Sequence, residues 1–303
     1  MPRRVFDCFL YNGEPILDLR LQCLGPHVDR FVIVESALTF KGDAKPPRFR
    51  GEMAGPWAHK VDYVLLGADD HDGCHSAWDR EALQRNAIRR GLATADDDDA
   101  VLISDVDEIP DPAALASFDG RPAWLRQLFF AYYGNMLCAS EPHWLKGTRM
   151  VRAADARRHA AEDIRLRFDD CFPAGRMVAA GGWHFTYLGG VESITRKIGE
   201  FSHQELNTAE LTAPTSIAAQ IRDRLDIFYR PLAFAVVRPE SLGNERAVAW
   251  FRARGMLFPG GDDGIDVADV VRRHEAAGPV RRRLGRWRLK WIQKRRRKRR
   301  SAG

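Results

Sequence analysis

Three carboxylates fall within four residues in Val101-Leu102-Ile103-Ser104-Asp105-Val106-Asp107-Glu108-Ile109-Pro110, directly behind an apolar run. The β-branched opening reads as a strand buried on both faces, and the proline helps to end it. Acids at the tip of such a strand are costly unless positive charge meets them there. On an extended backbone Asp105 and Asp107 point to one side. That arrangement suits a divalent cation shared with a ligand phosphate. The competing reading is an acidic strand-end turn that caps a following helix, because D-x-D is a short pattern.

Strands and helices around these acids are legible along the chain. Val5–Tyr11 is strand-like and ends at the turn signal Asn12-Gly13-Glu14-Pro15. Ile16 to Leu24 spaces its apolar residues along one helical face, and Gly25-Pro26 stops it. Asp29–Ser36 is a second apolar strand ending in Glu35, and Val61–Leu66 is a third. Strand, helix and strand with short connections predict βαβ units and a parallel sheet. Ligands in such sheets sit beyond the carboxyl ends of the strands, which is where Asn12, Glu35 and Asp105 fall.

A helix is expected over Trp78 to Leu92, and the acid run Asp96 to Asp99 reads as a solvated turn. Beyond Pro110 the pattern changes. Trp124–Tyr133, Trp144–Val151 and Met177–Leu188 look like strands with few helices between them, which predicts antiparallel additions. Ser193–His203 and Ser216–Tyr229 read as helical, and residues 231–264 as irregular. The expected organisation is one catalytic domain over 1–280, with a nucleotide half to about 120 and an acceptor half over 121–280, followed by a basic tail over 281–303.

Composition excludes several classes. The chain of 303 residues can bury a full core, and 45 % apolar with 29 % charged residues is ordinary for a globular protein. The net charge of +6 is unevenly placed: residues 281–303 hold thirteen Lys/Arg and no acid, leaving the first 280 at −7. Five scattered cysteines without a C-x-x-C pair argue against a disulfide framework and a zinc site. Neither an apolar signal region nor a spanning segment is legible, so a cytoplasmic location, peripheral at the inner face of a membrane, is expected.

The motifs, taken in order, resemble glycosyltransferase family 17. They are Asn12-Gly13-Glu14 with its Leu-x-x-Arg-like helix, Val28-Asp29-x-Phe31 through Glu35-Ser36, Thr39-Phe40-x-Gly42, and Lys45-Pro46-x-x-Phe49. Asp105-x-Asp107-Glu108-Ile109-Pro110 and Gly182-Trp183-His184-Phe185 extend the likeness, which covers roughly residues 5 to 205. The family's best-known members are β-1,4-mannosyl-glycoprotein 4-β-N-acetylglucosaminyltransferases. The resemblance implies a GT-A-like α/β nucleotide-sugar fold, mostly parallel in its first half and mixed or antiparallel in its second. It also implies an inverting transfer, a divalent metal (Mn²⁺ before Mg²⁺), a UDP-sugar donor, UDP-GlcNAc first with another nucleotide sugar as the alternative, and a glycan acceptor.

Under that resemblance, Asp107 is the first-choice metal ligand, and Asp105 acts through water or on the donor's ribose. His184 completes the metal shell or meets the pyrophosphate, one imidazole among oxygen donors being reasonable; the competing role is a satisfied core histidine. Glu35, Asn12 and Glu14 are candidates for base or ribose contacts, against plain turn chemistry. Arg85 is a candidate phosphate clamp, against an i,i+4 pair with Glu81. Lys197 and His203 are further phosphate candidates. An inverting transferase needs a carboxylate to deprotonate the acceptor hydroxyl, and Glu192, aligned with a family glutamate, is expected to serve, with Glu108 and Asp163 as competitors. The missing membrane anchor and cysteine pattern of the animal enzymes put an N-glycan acceptor in doubt and open a lipid-linked or cell-surface glycan instead.

Residues 281–300 interleave Leu284, Trp287, Trp291 and Ile292 with cations. This fits an anionic membrane surface, with nucleic-acid binding as the rival and a solubilising tail as the third choice. A non-catalytic membrane- or nucleic-acid-binding protein is the alternative of another class.

Overall fold

A computed structural model describes residues 3–300. Thirteen strands follow in chain order: β1 Val5–Leu10, β2 Arg30–Ser36, β3 Val61–Leu66, β4 Ala100–Asp105, β5 Glu108–Pro110, β6 Ala123–Leu125 and β7 Gln127–Ala131. After these come β8 Met136–Cys138, β9 His143–Trp144, β10 Arg149–Arg152, β11 Arg176–Val178, β12 Gly182–Thr186 and β13 Phe234–Val236. The chain divides into two compact units that interleave along the sequence. The first comprises the chain up to Gln127 with Trp144–His184 and Glu200–Gln204; the second holds Leu128–His143, Phe185–Gly199 and everything from Glu205 on.

The first unit is α/β. Its seven-stranded sheet runs β11-β6-β10-β4-β1-β2-β3. The run β4-β1-β2-β3 is parallel, while β10 is antiparallel to both β4 and β6. A parallel first half with mixed additions is therefore what the chain forms. Phe6, Cys8, Val32, Val34, Val101 and Ile103 are completely buried on one face, against Ile88, Leu92, Ile164 and Phe168. Leu10 is level with both Val34 and Asp105, so the tips of β1, β2 and β4 share one edge.

A buried charged pair lies on the other face of the sheet. Asp7 in β1 and Arg20 on the Leu17–Leu24 helix are both wholly buried and form a two-pronged pair, Nε to Oδ2 at 2.8 Å and Nη2 to Oδ1 at 2.6 Å. Arg20 also donates to Ser104 Oγ at 2.6 Å and to the carbonyls of Asp105 at 2.9 Å, Val106 at 3.3 Å and Glu108 at 2.7 Å. Its guanidinium lies 4.4 Å from the Phe9 ring centroid. One buried cation thus satisfies the carbonyls of a turn that the ladder leaves open.

Several elements differ from the sequence expectation. The helix expected to Leu92 is α-helical only over Ala77–Asn86 and then tightens to 3₁₀ over Ala87–Leu92. The Trp124–Tyr133 strand splits at Arg126, where the chain leaves one sheet for another set of strands. The helix expected over Ser193–His203 starts and ends earlier, at Gly190–Glu200. The stretch 231–264 is not irregular: it contains β13 and the Glu245–Ala253 helix, capped by Asn244, which accepts from Ala247 N. All five cysteines are free thiols.

The second unit packs aromatic residues around short antiparallel strands. β8 pairs with β13, and Phe130 of β7 pairs with Leu137. Phe185 stacks between Phe130 and Phe251, with centroids 5.1 and 4.9 Å away. Gly134 fits because any Cβ there would stand 2.4 Å from the Phe251 ring. Asp226, buried, accepts from the backbone of Phe228 and Arg230 and from the Arg230 guanidinium at 2.7 Å.

Replacing Arg20 leaves the buried Asp7 carboxyl without its partner and orphans the turn carbonyls. Arg20→Met is therefore expected to cost about 3–5 kcal/mol of unfolding free energy, read from chemical denaturation against the unmodified chain.

Candidate active site

The acid turn is built where β4 ends. The extended backbone stops at Asp105, Val106 and Asp107 form a turn, and Glu108 begins β5. The two aspartates are thus separated by a turn and not by strand geometry, and each has different company.

Asp105 accepts from Arg85 Nη1 at 2.8 Å and from Arg165 Nη2 at 3.1 Å, one guanidinium for each carboxylate oxygen. Burial alone would raise its pKa, but the Arg85 and Arg165 charges outweigh burial and hold it well below the ordinary carboxylate range. Arg85 is buried on its helix and is surrounded by three acids, with Glu81 at 2.7 Å and Glu162 at 2.6 Å besides Asp105. Its i,i+4 pair with Glu81 is present together with the longer-range contacts. Burial raises the pKa of Glu162 even beside Arg85.

Glu108 is fully buried. Its Oε1 accepts from Trp144 Nε1 at 2.7 Å and Arg165 Nη2 at 2.5 Å, and its Oε2 from the Asp105 amide at 3.2 Å. These bonds brace the turn from beneath. Asp107 and His184 are buried and face one another, with Asp107 Oδ1 and His184 Nε2 3.5 Å apart. His184 sits opposite Glu108 in the β5–β12 ladder. The Trp144 indole stacks on its imidazole at 4.6 Å while donating to Glu108, so one side chain fixes both. Gly182 opens this ladder at φ +112°, and a Cβ there would lie 2.2 Å from the Ile109 carbonyl oxygen.

A second polar cluster occupies the tips of β1 and β2. Glu35 is wholly buried and accepts from the amides of Arg48 at 2.7 Å and Phe49 at 2.9 Å and from the Tyr63 hydroxyl at 2.9 Å. Lys45 Nζ approaches it at 3.5 Å, and burial lowers the lysine's pKa. Glu35 thereby pins the 45–49 loop to the sheet. Asn12 donates from Nδ2 to Glu200 Oε2 at 2.8 Å, and its amide donates to Glu14 Oε2 at 2.7 Å. Arg48 grips Glu200 with two nitrogens at 2.8 and 2.6 Å and also donates to the Asn12 carbonyl. His203 packs edge-on to Trp78 at 4.7 Å.

In the second unit, Glu192 is exposed on the Gly190–Glu200 helix, whose Ile194 and Ile198 are buried. Lys197 Nζ lies 3.5 Å from Thr186 Oγ1 and 5.4 Å from the Tyr187 ring centroid. Asp163, in the first unit, is paired with Arg167 at 2.6 Å.

Asp7 and Arg20, the latter read only as part of a helix motif, and Arg48, Trp144, Arg165 and Glu200 were not singled out as site residues by sequence reasoning. The first two carried a legible signal, since each is a charge inside an otherwise apolar strand or helix face. Arg48, Arg165 and Glu200 are ordinary surface types and Trp144 an ordinary aromatic in a short strand, each made important by partners far along the chain.

Few donors here suit a divalent cation. Among the described residues no group of three or more His, Cys, Asp or Glu could hold one. Asp107 and His184 nevertheless offer a hard carboxylate oxygen and an imidazole nitrogen close enough to share an ion whose remaining positions a diphosphate and water would fill. The pair fits such a cation as a two-donor site.

The model of glycosyltransferase family 17 matches residues 1–232. The chain belongs to that family. The β-1,4-mannosyl-glycoprotein 4-β-N-acetylglucosaminyltransferases of Homo sapiens and Rattus norvegicus are each 35 % identical over 120 residues, and that of Mus musculus 34 %. The matched region is 36 % of this chain and spans 22 % of the length of those relatives. Among solved structures, the galactosyltransferase LgtC with donor and acceptor sugar analogues shares 14 % identity, covers 55 % of this chain and 65 % of its own, and has a TM-score of 0.30. An active-site mutant of LgtC has 15 % identity and a TM-score of 0.29. Likeness at these scores carries no weight for the fold or the reaction.

Burial opposes ionisation of Glu200, but the Arg48 guanidinium and the Asn12 amide outweigh it and draw the pKa below its usual value. A folded-state pKa below the unfolded one gives stability that is complete above about pH 4.3 and is lost as pH falls through the folded value. Urea titrations of the unmodified chain and Glu200→Gln should therefore differ most near neutrality and converge on acidification.

Proposed function

We propose that this chain is a metal-dependent inverting glycosyltransferase that carries N-acetylglucosamine from UDP-GlcNAc to a glycan. The observation that carries the reading is the buried Asp107–His184 pair at the strand edge of a family 17 chain. The names of the matched relatives support the GlcNAc donor. The divalent ion, Mn²⁺ before Mg²⁺ because one donor is an imidazole, would supply countercharge to the diphosphate leaving group.

The chain's own groups divide the remaining work. Asp107 and His184 hold the ion, and Trp144 keeps the imidazole in place by stacking. Asp105, clamped between Arg85 and Arg165, stays ionised and acts on the donor's ribose or through water on the ion. Glu108 sets the pitch of the turn. Glu35, Asn12 and Glu14 shape the loops beside the donor, and Lys45 is a buried cation in that region. His203 and Lys197 are proposed phosphate contacts. Glu192 is the proposed base for the acceptor hydroxyl, an exposed carboxylate with room to take a proton.

Titration calorimetry with UDP-GlcNAc, UDP and GDP, with and without Mn²⁺, tests the reading. Uridine nucleotides should bind in a Mn²⁺-dependent way, and Asp107→Asn should abolish the Mn²⁺-dependent part. Absence of nucleotide binding under every condition would overturn the proposal in favour of a non-catalytic binding protein. For the base, Glu192→Gln should lower turnover by about 100- to 10,000-fold while donor binding is kept, and unchanged turnover would remove Glu192 from the role.

A further inference from the structure

The Gly278–Arg300 helix of the second unit has two sides that differ sharply. Val280, Leu284, Trp287 and Trp291 are 71, 62, 69 and 48 % exposed. Their steps of four, three and four residues place them on a single stripe of the helix. On the opposite side Gln293 is buried, accepts from Gln220 Nε2 at 2.8 Å and donates to the carbonyls of Asp226 and Arg230. Arg282 and Leu289 on that same side are half-buried and line a groove with Val270 and Ala277. The helix is therefore fastened by one face, and that fastening turns its apolar stripe outward.

Cations flank the stripe. Arg281, Arg288 and Arg295 recur every seven residues along one shoulder, and Arg283, Lys290 and Lys294 follow the other, all exposed. The Arg295 guanidinium lies 3.9 Å over the Trp291 ring. Arg286 and Arg297 instead reach back to Glu141 at 3.2 Å and Glu210 at 3.0 Å. The helix itself contains no acid. The side chains of Arg296 and of 298–300, and residues 301–303 of the basic tail, lie outside the described residues, as do Met1 and Pro2.

We propose that this helix docks flat on a membrane surface bearing anionic headgroups. The tryptophan-bearing stripe enters the boundary between headgroups and acyl chains, and both cationic shoulders rest on lipid phosphates. An exposed apolar stripe between two rows of cations matches a surface that is anionic outside and apolar just beneath. A nucleic-acid backbone would satisfy the cations and leave the stripe in water. No helix among the described residues is long and apolar enough to cross a membrane, so the contact lies in the interface plane. The proposal does not depend on the sugar-transfer reading.

Vesicle flotation of the full chain tests it, with phosphatidylcholine alone and with phosphatidylcholine mixed with phosphatidylglycerol. Binding is expected only to the mixed vesicles. The doubly substituted chain Trp287→Ser, Trp291→Ser keeps every cation and should bind them about tenfold or more weakly. Brominated acyl chains should quench tryptophan fluorescence in the unmodified chain and not in the double variant. Equal binding of the double variant, absence of quenching in the unmodified chain, or tighter binding to a short DNA duplex than to mixed vesicles would each overturn the proposal.

Discussion

The Asp7–Arg20 pair is the constraint on which the first unit depends. A guanidinium taken wholly out of water must find acceptors for all its donors, and Arg20 finds them in one carboxylate, one hydroxyl and three carbonyls. Because those carbonyls belong to the turn after β4, the core and the acid turn cannot shift independently. The cation that neutralises a buried acid in β1 also sets the position of the residues at the sheet's edge. Breaking the pair would therefore disturb the site together with the stability of the sheet.

Above that anchor the charges are arranged in layers. Arg165 bridges Asp105 and Glu108, and Arg85 gathers Asp105, Glu81 and Glu162. With so much positive charge nearby, Asp105 is kept ionised. Three acids in four residues are tolerable only because these arginines, supplied by two separate helices, arrive from other parts of the chain. Asp107 points to His184 instead, and this difference between two similar aspartates underlies their separate proposed roles. Family membership and the proposed chemistry meet at this point: a strand edge holding one carboxylate and one imidazole is suited to a cation shared with a diphosphate.

The acids themselves, the parallel strands that carry them and the family likeness were legible in the sequence, because buried strands leave continuous apolar runs and the motifs keep their order. The division of labour within the site was not. Two residues apart suggested one face, yet the strand stops at Asp105 and the intervening turn separates the two side chains. Arg85 beside Glu81 was readable from helical spacing, whereas Arg165 and Glu162 meet Asp105 and Arg85 only after some 60 or more residues of intervening chain have folded. Asn12, Glu14 and Glu35 were visible as polar strand tips, but their bonds to Arg48, Glu200 and Tyr63 depend on loop closure, which no local pattern encodes.

Legible from residue type and period were the parallel strands, the apolar faces that bury them, the acidic run at the β4 tip and the cation-rich last segment with its tryptophans. These are properties of residue type and period, and they hold wherever the segments end up. Which arginine meets which acid, the hold of Trp144 on His184, and the outward turn that Gln293 gives the tryptophan stripe all arise from long-range packing. Such choices are made between residues far apart in the chain, where burial must satisfy each polar group with whatever partner the fold brings to it.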